Sequence, residues 1–221
     1  MSTQIPLNLA SPPDYRAAAF VSGKSNAEAV AALSEYRVWA NHILAVVGPK
    51  GSGKTHLGHI WAERENAVIL DGMDGFVPRR DYRNRALWVD RAAHADEYTL
   101  FTLINLAISG EITALLLSDQ AMPLDWDVEL PDLRSRLRNV QVARLHEPDD
   151  AVLRAIMIKL FKERSRKVAD SLLDYLLVHA DRSVEGLRNL IVTLDKQAAS
   201  EKANLTRTFA AKYMQGQLFD E

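Results

Sequence analysis

The sequence predicts an α/β fold in which a parallel sheet is covered by helices and followed by a small helical lid domain. Three observations carry this. The five-residue apolar run Ile43–Val47 leads directly into the glycine-rich segment Gly48-Pro49-Lys50-Gly51-Ser52-Gly53-Lys54-Thr55. Short apolar runs then alternate with helical periodicity as far as Leu117, the pattern of strands joined by crossover helices. From Pro148 onward only helical periodicity remains.

The elements follow in order. Residues 1–19 hold Pro6, Pro12 and Pro13 with few periodic apolar positions, so they read as an extended leader. A base domain spans 20–146. Ser25 or Asn26 is placed to cap a helix reaching Tyr36, with Ala29, Val30 and Leu33 on one side. Ile43–Val47 is uniformly apolar, as a strand covered on both faces must be. A helix continues from His56 to Arg64. Ala67–Leu70, Ala86–Val89 and Ala114–Leu117 are the further strands, with a helix over Asp96–Ser109. The lid domain, 147–221, starts its first helix at Asp149-Asp150 and places helices over Ala151–Arg164, Ser171–Ala180 and Val184–Ala199.

A chain of 221 residues, 48% hydrophobic, suffices for one core with a small satellite. The absence of cysteine excludes disulfides and thiolate metal sites. No signal peptide and no apolar stretch of about 18 residues is present, so a cytoplasmic protein without membrane contact is expected. A net charge of −2 is not the footprint of a dedicated duplex-DNA binder, so DNA contact is expected only indirectly. The basic cluster Arg79, Arg80, Arg83 and Arg85 reads as a solvated surface.

The glycine-rich segment matches the phosphate loop of nucleoside-triphosphate-binding proteins and stands where that loop must stand, between a buried strand and a helix. Its glycines let backbone N–H groups curl towards phosphate oxygens, and the helix N-terminus adds partial positive charge. Lys54 is placed to neutralise the β- and γ-phosphates, and Thr55 to offer a hydroxyl to Mg²⁺. Asp90, ending Leu87-Trp88-Val89-Asp90, is the carboxylate expected to hold the Mg²⁺ ion through water. Many hydrolytic relatives of the motif carry an acid next to that aspartate, but Arg91 stands there and cannot act as the base. Asp96 and Glu97 could replace it only by a fold-back of the loop, so intrinsic hydrolysis is expected to be weak. Ser118, ending the third apolar strand, is placed to sense the γ-phosphate.

His56 and His59 lie three residues apart, but neither a carboxylate nor a third histidine stands at metal-site spacing. Trp39, Trp61, Trp88 and Trp126 lie within apolar segments and read as packing residues.

Together with Phe20-Val21-Ser22-Gly23-Lys24-Ser25-Asn26, Leu130-Pro131-Asp132-Leu133-Arg134-Ser135-Arg136-Leu137 and Leu205-Thr206, the loop Gly48–Leu57 resembles the AAA+ domain of the bacterial replication initiator DnaA. The likeness spans nearly the whole chain and is greater still to the shorter Hda-type regulatory inactivators of DnaA. It implies an AAA+ fold that binds ADP or ATP with Mg²⁺. It also implies that Phe20, Val21 and Asn26 form or support the wall beside the adenine, and that His56 belongs to the nucleotide site. Arg136 then corresponds to an arginine finger acting in trans on a neighbour's nucleotide. The family's lid arginine falls at Glu185, which cannot pair with phosphate, leaving Arg182 and Arg188 as substitutes, of which Arg188 enters the predicted site. The chain stops at Glu221 without the initiator's helix-turn-helix domain, so a regulator is expected in place of an initiator.

By the same resemblance, Gln4-Ile5-Pro6-Leu7-Asn8-Leu9 matches the short motif that docks on the DNA polymerase sliding clamp, with Gln4, Ile5, Pro6, Leu7 and Leu9 as the contacts. Gln215–Phe219 is a weaker second match. The expected function is stimulation of ATP hydrolysis on DnaA in concert with the clamp, hence negative regulation of replication initiation at the replisome or nucleoid. A homodimer or nucleotide-dependent oligomer is compatible with the sequence. The alternative is a self-sufficient AAA+ ATPase of loader or remodelling type.

Overall fold

The apolar run Ile43–Val47 forms β1 and is buried along its entire length, because helices cover both sides of it. The computed structural model describes residues 14–217, and the strands among them are β1, β2 (Val68–Asp71), β3 (Ala86–Asp90), β4 (Ala114–Asp119) and β5 (Gln141–Arg144). All pair in parallel, in the order β2-β3-β4-β1-β5. Helices α1 (Ala27–Ser34), α2 (Lys54–Glu65), α3 (Glu97–Ile108) and α4 (Pro131–Leu137) accompany the sheet.

Side chains of a strand alternate between faces, and here both faces are apolar. Ile43, Ala45 and Val47 join Leu87, Val89, Leu115 and Leu117 against Leu100, Leu103 and Ile104 of α3 and Leu133 and Leu137 of α4. Leu44 and Val46 join Trp88 and Leu116 against Ala29 and Leu33 of α1 and Leu57, Trp61 and Ala62 of α2. Truncating such a residue to alanine costs about 2–5 kcal/mol, so these two layers set the stability of the sheet. Trp39, Trp61, Trp88 and Trp126 are all buried within them.

Strand ends lie within one or two residues of the expected positions, but β5 was not anticipated. It is a four-residue edge strand in which only Ala143 is buried, so no apolar run announces it. Its place beside β1 puts the loop after β1 where the strand order reverses, the usual position of a ligand crevice in such sheets. Neither Ser25 nor Asn26 caps α1, whose start has no side-chain cap. The helix also ends at Ser34, two residues short of Tyr36, and α4 and α8 (Arg207–Gln217) form where the sequence periodicity predicts no helix.

Helices α5 (Asp150–Glu163), α6 (Asp170–His179), α7 (Val184–Ser200) and α8 surround a core of their own that includes Leu153, Met157, Phe161, Leu172, Leu176, Leu187, Ile191 and Leu194. Asp149 accepts the Val152 N–H at 2.9 Å and Ser183 the Gly186 N–H at 2.9 Å, capping α5 and α7. This bundle meets the sheet domain at the phosphate loop: a Cβ on Gly51 would lie 2.8 Å from the Ser183 Cβ. Packing also begins before Phe20, since the Tyr15 ring stacks on His59 of α2. The leader motif at Gln4–Leu9, and Leu218 and Phe219 of the second match, lie outside the described residues. No helix among the described residues is long and apolar enough to cross a membrane.

Asp96 caps α3 by accepting the Thr99 N–H at 2.9 Å, and this hydrogen bonding holds its carboxyl below the ordinary carboxylate pKa. A depressed folded-state pKa contributes stability above the unfolded value near 3.8 that is lost as pH falls through the folded one. Asp96→Ala should therefore destabilise the protein by about 1 kcal/mol at pH 7, Asp96→Asn should do so less, and the gap between Asp and Ala should close below pH ~4 in denaturant titrations.

Candidate functional site

The phosphate loop leaves β1 at Val47 and turns into α2 at Lys54. Gly51 and Gly53 adopt φ of +77° and +100°, the left-handed region that a side chain disfavours, and so curl the backbone. The N-terminus of α2 carries no side-chain cap, so its first N–H groups have no acceptor of that kind. Lys54 Nζ donates to the carbonyls of Gly48 at 2.7 Å and Pro49 at 2.8 Å, folding over the loop. Burial pushes the Lys54 ammonium below its ordinary pKa, and the charges of Asp90 and Asp119 oppose that shift. Ser52 Oγ is buried without a hydrogen-bond partner among the described residues. A loop with a desolvated cation, an orphaned hydroxyl and an uncapped helix start fits a phosphate anion.

Asp90 ends β3 opposite Ser118 of β4. Its Oδ2 accepts the Thr55 hydroxyl at 3.0 Å, and its Oδ1 accepts the Ser118 hydroxyl at 2.5 Å and the Arg91 N–H at 3.1 Å. With its proton directed to Asp90, Thr55 Oγ1 has lone pairs free for a cation. Hydroxyl and carboxylate oxygens are the hard donors Mg²⁺ prefers, so the pair fits that ion. Among the described residues no group of three or more His, Asp or Glu side chains forms a metal cluster.

Ser118 does not stand free as a phosphate sensor. Its Oγ also accepts the Trp88 indole N–H at 2.9 Å, so the hydroxyl is enclosed between Trp88 and Asp90 and is 1% exposed. Arg91 turns away from the loop and pairs with Asp71 of β2, its Nε donating to Oδ1 at 2.8 Å. The two acids considered as replacement bases are committed elsewhere. Asp96 caps α3, and Glu97 accepts the N–H groups of Glu129 at 2.7 Å and Leu130 at 2.8 Å, fixing the approach to α4. Asp119 is likewise occupied by the N–H groups of Ala93 at 2.9 Å and Gln120 at 2.6 Å.

On the other side of the loop, Asn26 staples the turn before α1. Its Oδ1 accepts the Gly23 N–H at 2.9 Å and its Nδ2 donates to the Val21 carbonyl at 2.9 Å. Phe20 meets His56 edge to face with ring centroids 5.3 Å apart, and His56 Nε2 lies 3.1 Å from the Arg16 carbonyl. Burial lowers the His56 pKa, which favours the neutral ring with Nε2–H donating. Phe20 and His56 thus meet beside the start of α2, while Asn26 fixes Val21 and Gly23 in the turn that follows Phe20.

Arg182 and Arg188 are no longer equivalent. Arg182 is paired with Asp150 at 2.7 Å. Arg188, partly buried on α7, makes no hydrogen bond or ion pair among the described residues, and its charge is felt at both Tyr15 and His56. Arg136 stands apart from all of these. Its guanidinium lies 5.1 Å over the Phe101 ring, in a pocket with Asn41, Ile43 and Ile104. Asn41 and Ile43 precede and open β1, whereas the loop follows its other end, about 13 Å away at 3.3 Å per residue. Trp88, Asp119 and Tyr15 also stand at or beside the site, and no motif in the sequence marks them for it. A glycine inside α2 is the one sequence signal that points to Trp88.

No protein-family model matches the chain. An uncharacterized protein of Haemophilus influenzae is 23% identical over 197 residues, covering 76% of this chain and 79% of that protein. Among solved structures, domain III of the Thermotoga maritima replication initiation protein DnaA superposes with a TM-score of 0.75 at 18% identity, covering 95% of this chain and 98% of that one. A DnaA structure bound to AMPPCP and single-stranded DNA gives 0.66 at 18% identity, over 86% and 68% of the two chains. Thermotoga maritima RuvB, as a K64R mutant, gives 0.67 at 18% identity, over 87% and 69%. The fold is that of an AAA+ P-loop NTPase.

A Cβ on Gly58 would lie 2.1 Å from Trp88 Cζ2, so the indole occupies the space of a side chain on α2. Alanine favours a helix over glycine by about 1 kcal/mol, but the clash outweighs that gain. Gly58→Ala should lower stability by about 1–3 kcal/mol in thermal or urea unfolding, as overpacking does. An unchanged or raised midpoint would contradict this packing.

Proposed function

We propose that this chain is a nucleotide-bound AAA+ regulator which, with the DNA polymerase sliding clamp, stimulates hydrolysis of ATP on the initiator DnaA. The observation that carries the reading is the separation within one molecule of a phosphate loop equipped to hold nucleotide from an arginine that faces away from it. ADP or ATP sits with its phosphates on the loop N–H groups and Lys54. Thr55 and Asp90 would hold Mg²⁺, which would supply charge neutralisation to the phosphates. Phe20, Val21 and the Asn26 staple flank the base, and Arg188 approaches the phosphates from α7 in place of Glu185.

Intrinsic turnover is weak because the acids that follow the metal-side strands are committed to other contacts. Arg91 is tied to Asp71, and Asp96, Glu97 and Asp119 are consumed in backbone hydrogen bonds. Arg136 lies at the opposite end of β1 from its own loop and can stabilise transferring phosphoryl charge only in a second molecule. A finger supplied in trans is worth about 10³–10⁵ in rate. Gln4, Ile5, Pro6, Leu7 and Leu9 would dock the leader on the clamp, holding Arg136 near DnaA on the DNA. The likeness of fold to DnaA domain III supports the pairing, and the resemblance of the Ser135-Arg136 segment implies that the arginine reaches a neighbour's nucleotide.

The deciding experiment is single-turnover loss of ATP from DnaA in the presence of clamp loaded on DNA. Addition of the protein should accelerate it, Arg136→Ala should abolish the acceleration, and Gln4→Ala should remove its dependence on the clamp. Lys54→Ala should eliminate nucleotide binding in an equilibrium titration. Turnover on the order of 1 s⁻¹ by the protein alone, indifferent to clamp and DnaA, would instead establish the self-sufficient ATPase.

A further inference from the structure

Trp88 sits within the strand that delivers Asp90, yet its ring is turned onto α2 and its N–H onto β4. The indole is 1% exposed and fills the space over Gly58, where a Cβ would come within 2.1–2.6 Å of three of its ring carbons. His59 meets it edge-on at 5.0 Å, and Tyr15 stacks on His59 at 4.1 Å, closing the outer side. The ring is therefore confined by α2, and its Nε1 has a single direction available.

That direction ends on Ser118 Oγ at 2.9 Å. An indole N–H can only donate, and a hydroxyl has one proton. Once Ser118 accepts from Trp88, its own proton is directed to Asp90 Oδ1, 2.5 Å away. Oδ1 is then filled by Ser118 and the Arg91 N–H, and Oδ2 faces Thr55. The carboxylate is held in this orientation, with its remaining lone pair on Oδ2, the oxygen that also accepts from Thr55.

We propose that Trp88 is a positioning residue for the cation side of the nucleotide site, acting through Ser118 to hold Asp90 in the orientation that receives the hydrated Mg²⁺. The inference rests on the nucleotide-binding reading above. Trp88 touches neither nucleotide nor ion; its effect is confined to the Mg²⁺-dependent part of binding.

The test uses ADP as the probe, titrated into the full chain with and without Mg²⁺. Trp88→Phe keeps the ring and removes the donor. It should weaken the Mg²⁺-dependent gain in ADP affinity about fivefold, the effect of one neutral hydrogen bond, and leave Mg²⁺-free affinity within about twofold. In a Ser118→Ala background the same change should have no further effect, since the bond it removes is already gone. In the ligand-free protein, Ser118→Ala should also move the Trp88 indole N–H resonance, which Trp88→Phe identifies by its loss. An equal loss of affinity with and without Mg²⁺, a persistent effect in Ser118→Ala, or an unmoved indole resonance would each overturn the proposal. If Trp88→Phe fails to fold, the indole resonance is assigned by through-bond experiments on the wild type, and its shift together with the Mg²⁺ dependence of Ser118→Ala decides the matter. A wild-type protein that binds no ADP would refute the nucleotide reading itself, whereas normal Mg²⁺–ADP binding by Trp88→Phe would refute the positioning role alone.

Discussion

The carboxylate of Asp90 ties together the three elements on which the site depends. It ends β3, takes the Ser118 hydroxyl from β4 and takes the Thr55 hydroxyl from the first turn of α2. Two O–H donors on one carboxylate are charge-assisted hydrogen bonds, roughly twice as strong as neutral ones. They fix the start of α2 relative to the sheet, and so the position of the loop that precedes it. Parallel strands place their C-terminal ends on one edge, and Val47, Asp90 and Asp119 accordingly end β1, β3 and β4 around the same crevice.

Several of the charged groups around this crevice are committed to partners within the protein. Arg91 is withdrawn onto Asp71, Asp119 is spent on two backbone N–H groups, and Arg182 is neutralised by Asp150. Lys54 and Arg188 remain, one folded over the loop carbonyls and one unpaired on α7. The desolvation that lowers the Lys54 pKa is what an incoming phosphate would offset. The close approach of Ser183 to Gly51 places the start of α7 against the loop.

The segment before the sheet takes part as well. Tyr15 on His59, the Arg16 carbonyl on His56 and Lys159 Nζ on the Ala18 carbonyl at 2.6 Å join residues 14–20 to both α2 and α5. Arg136, by contrast, rests on Phe101 with no link to this network.

By itself the sequence determined β1 to β4 and the loop. A run such as Ile43–Val47, five residues long and followed by glycine, is too short for a helix and reads as a strand buried on both faces, and Gly51, Gly53, Lys54 and Thr55 in that order after such a strand admit few uses besides phosphate. It also determined that α5–α7 are amphipathic, because their periodicity is local. It did not announce β5, whose four residues become a strand only by pairing with β1, nor α4 and α8. Nor could it say that Asn26 would staple Val21 to Gly23, that Arg182 would be consumed by Asp150 while Arg188 stayed unpaired, or that Ser118 would be enclosed by Trp88. Each of these depends on which partner residues distant in the chain bring within 3 Å, and hydrogen-bond geometry at that range is a property of the packed tertiary structure alone.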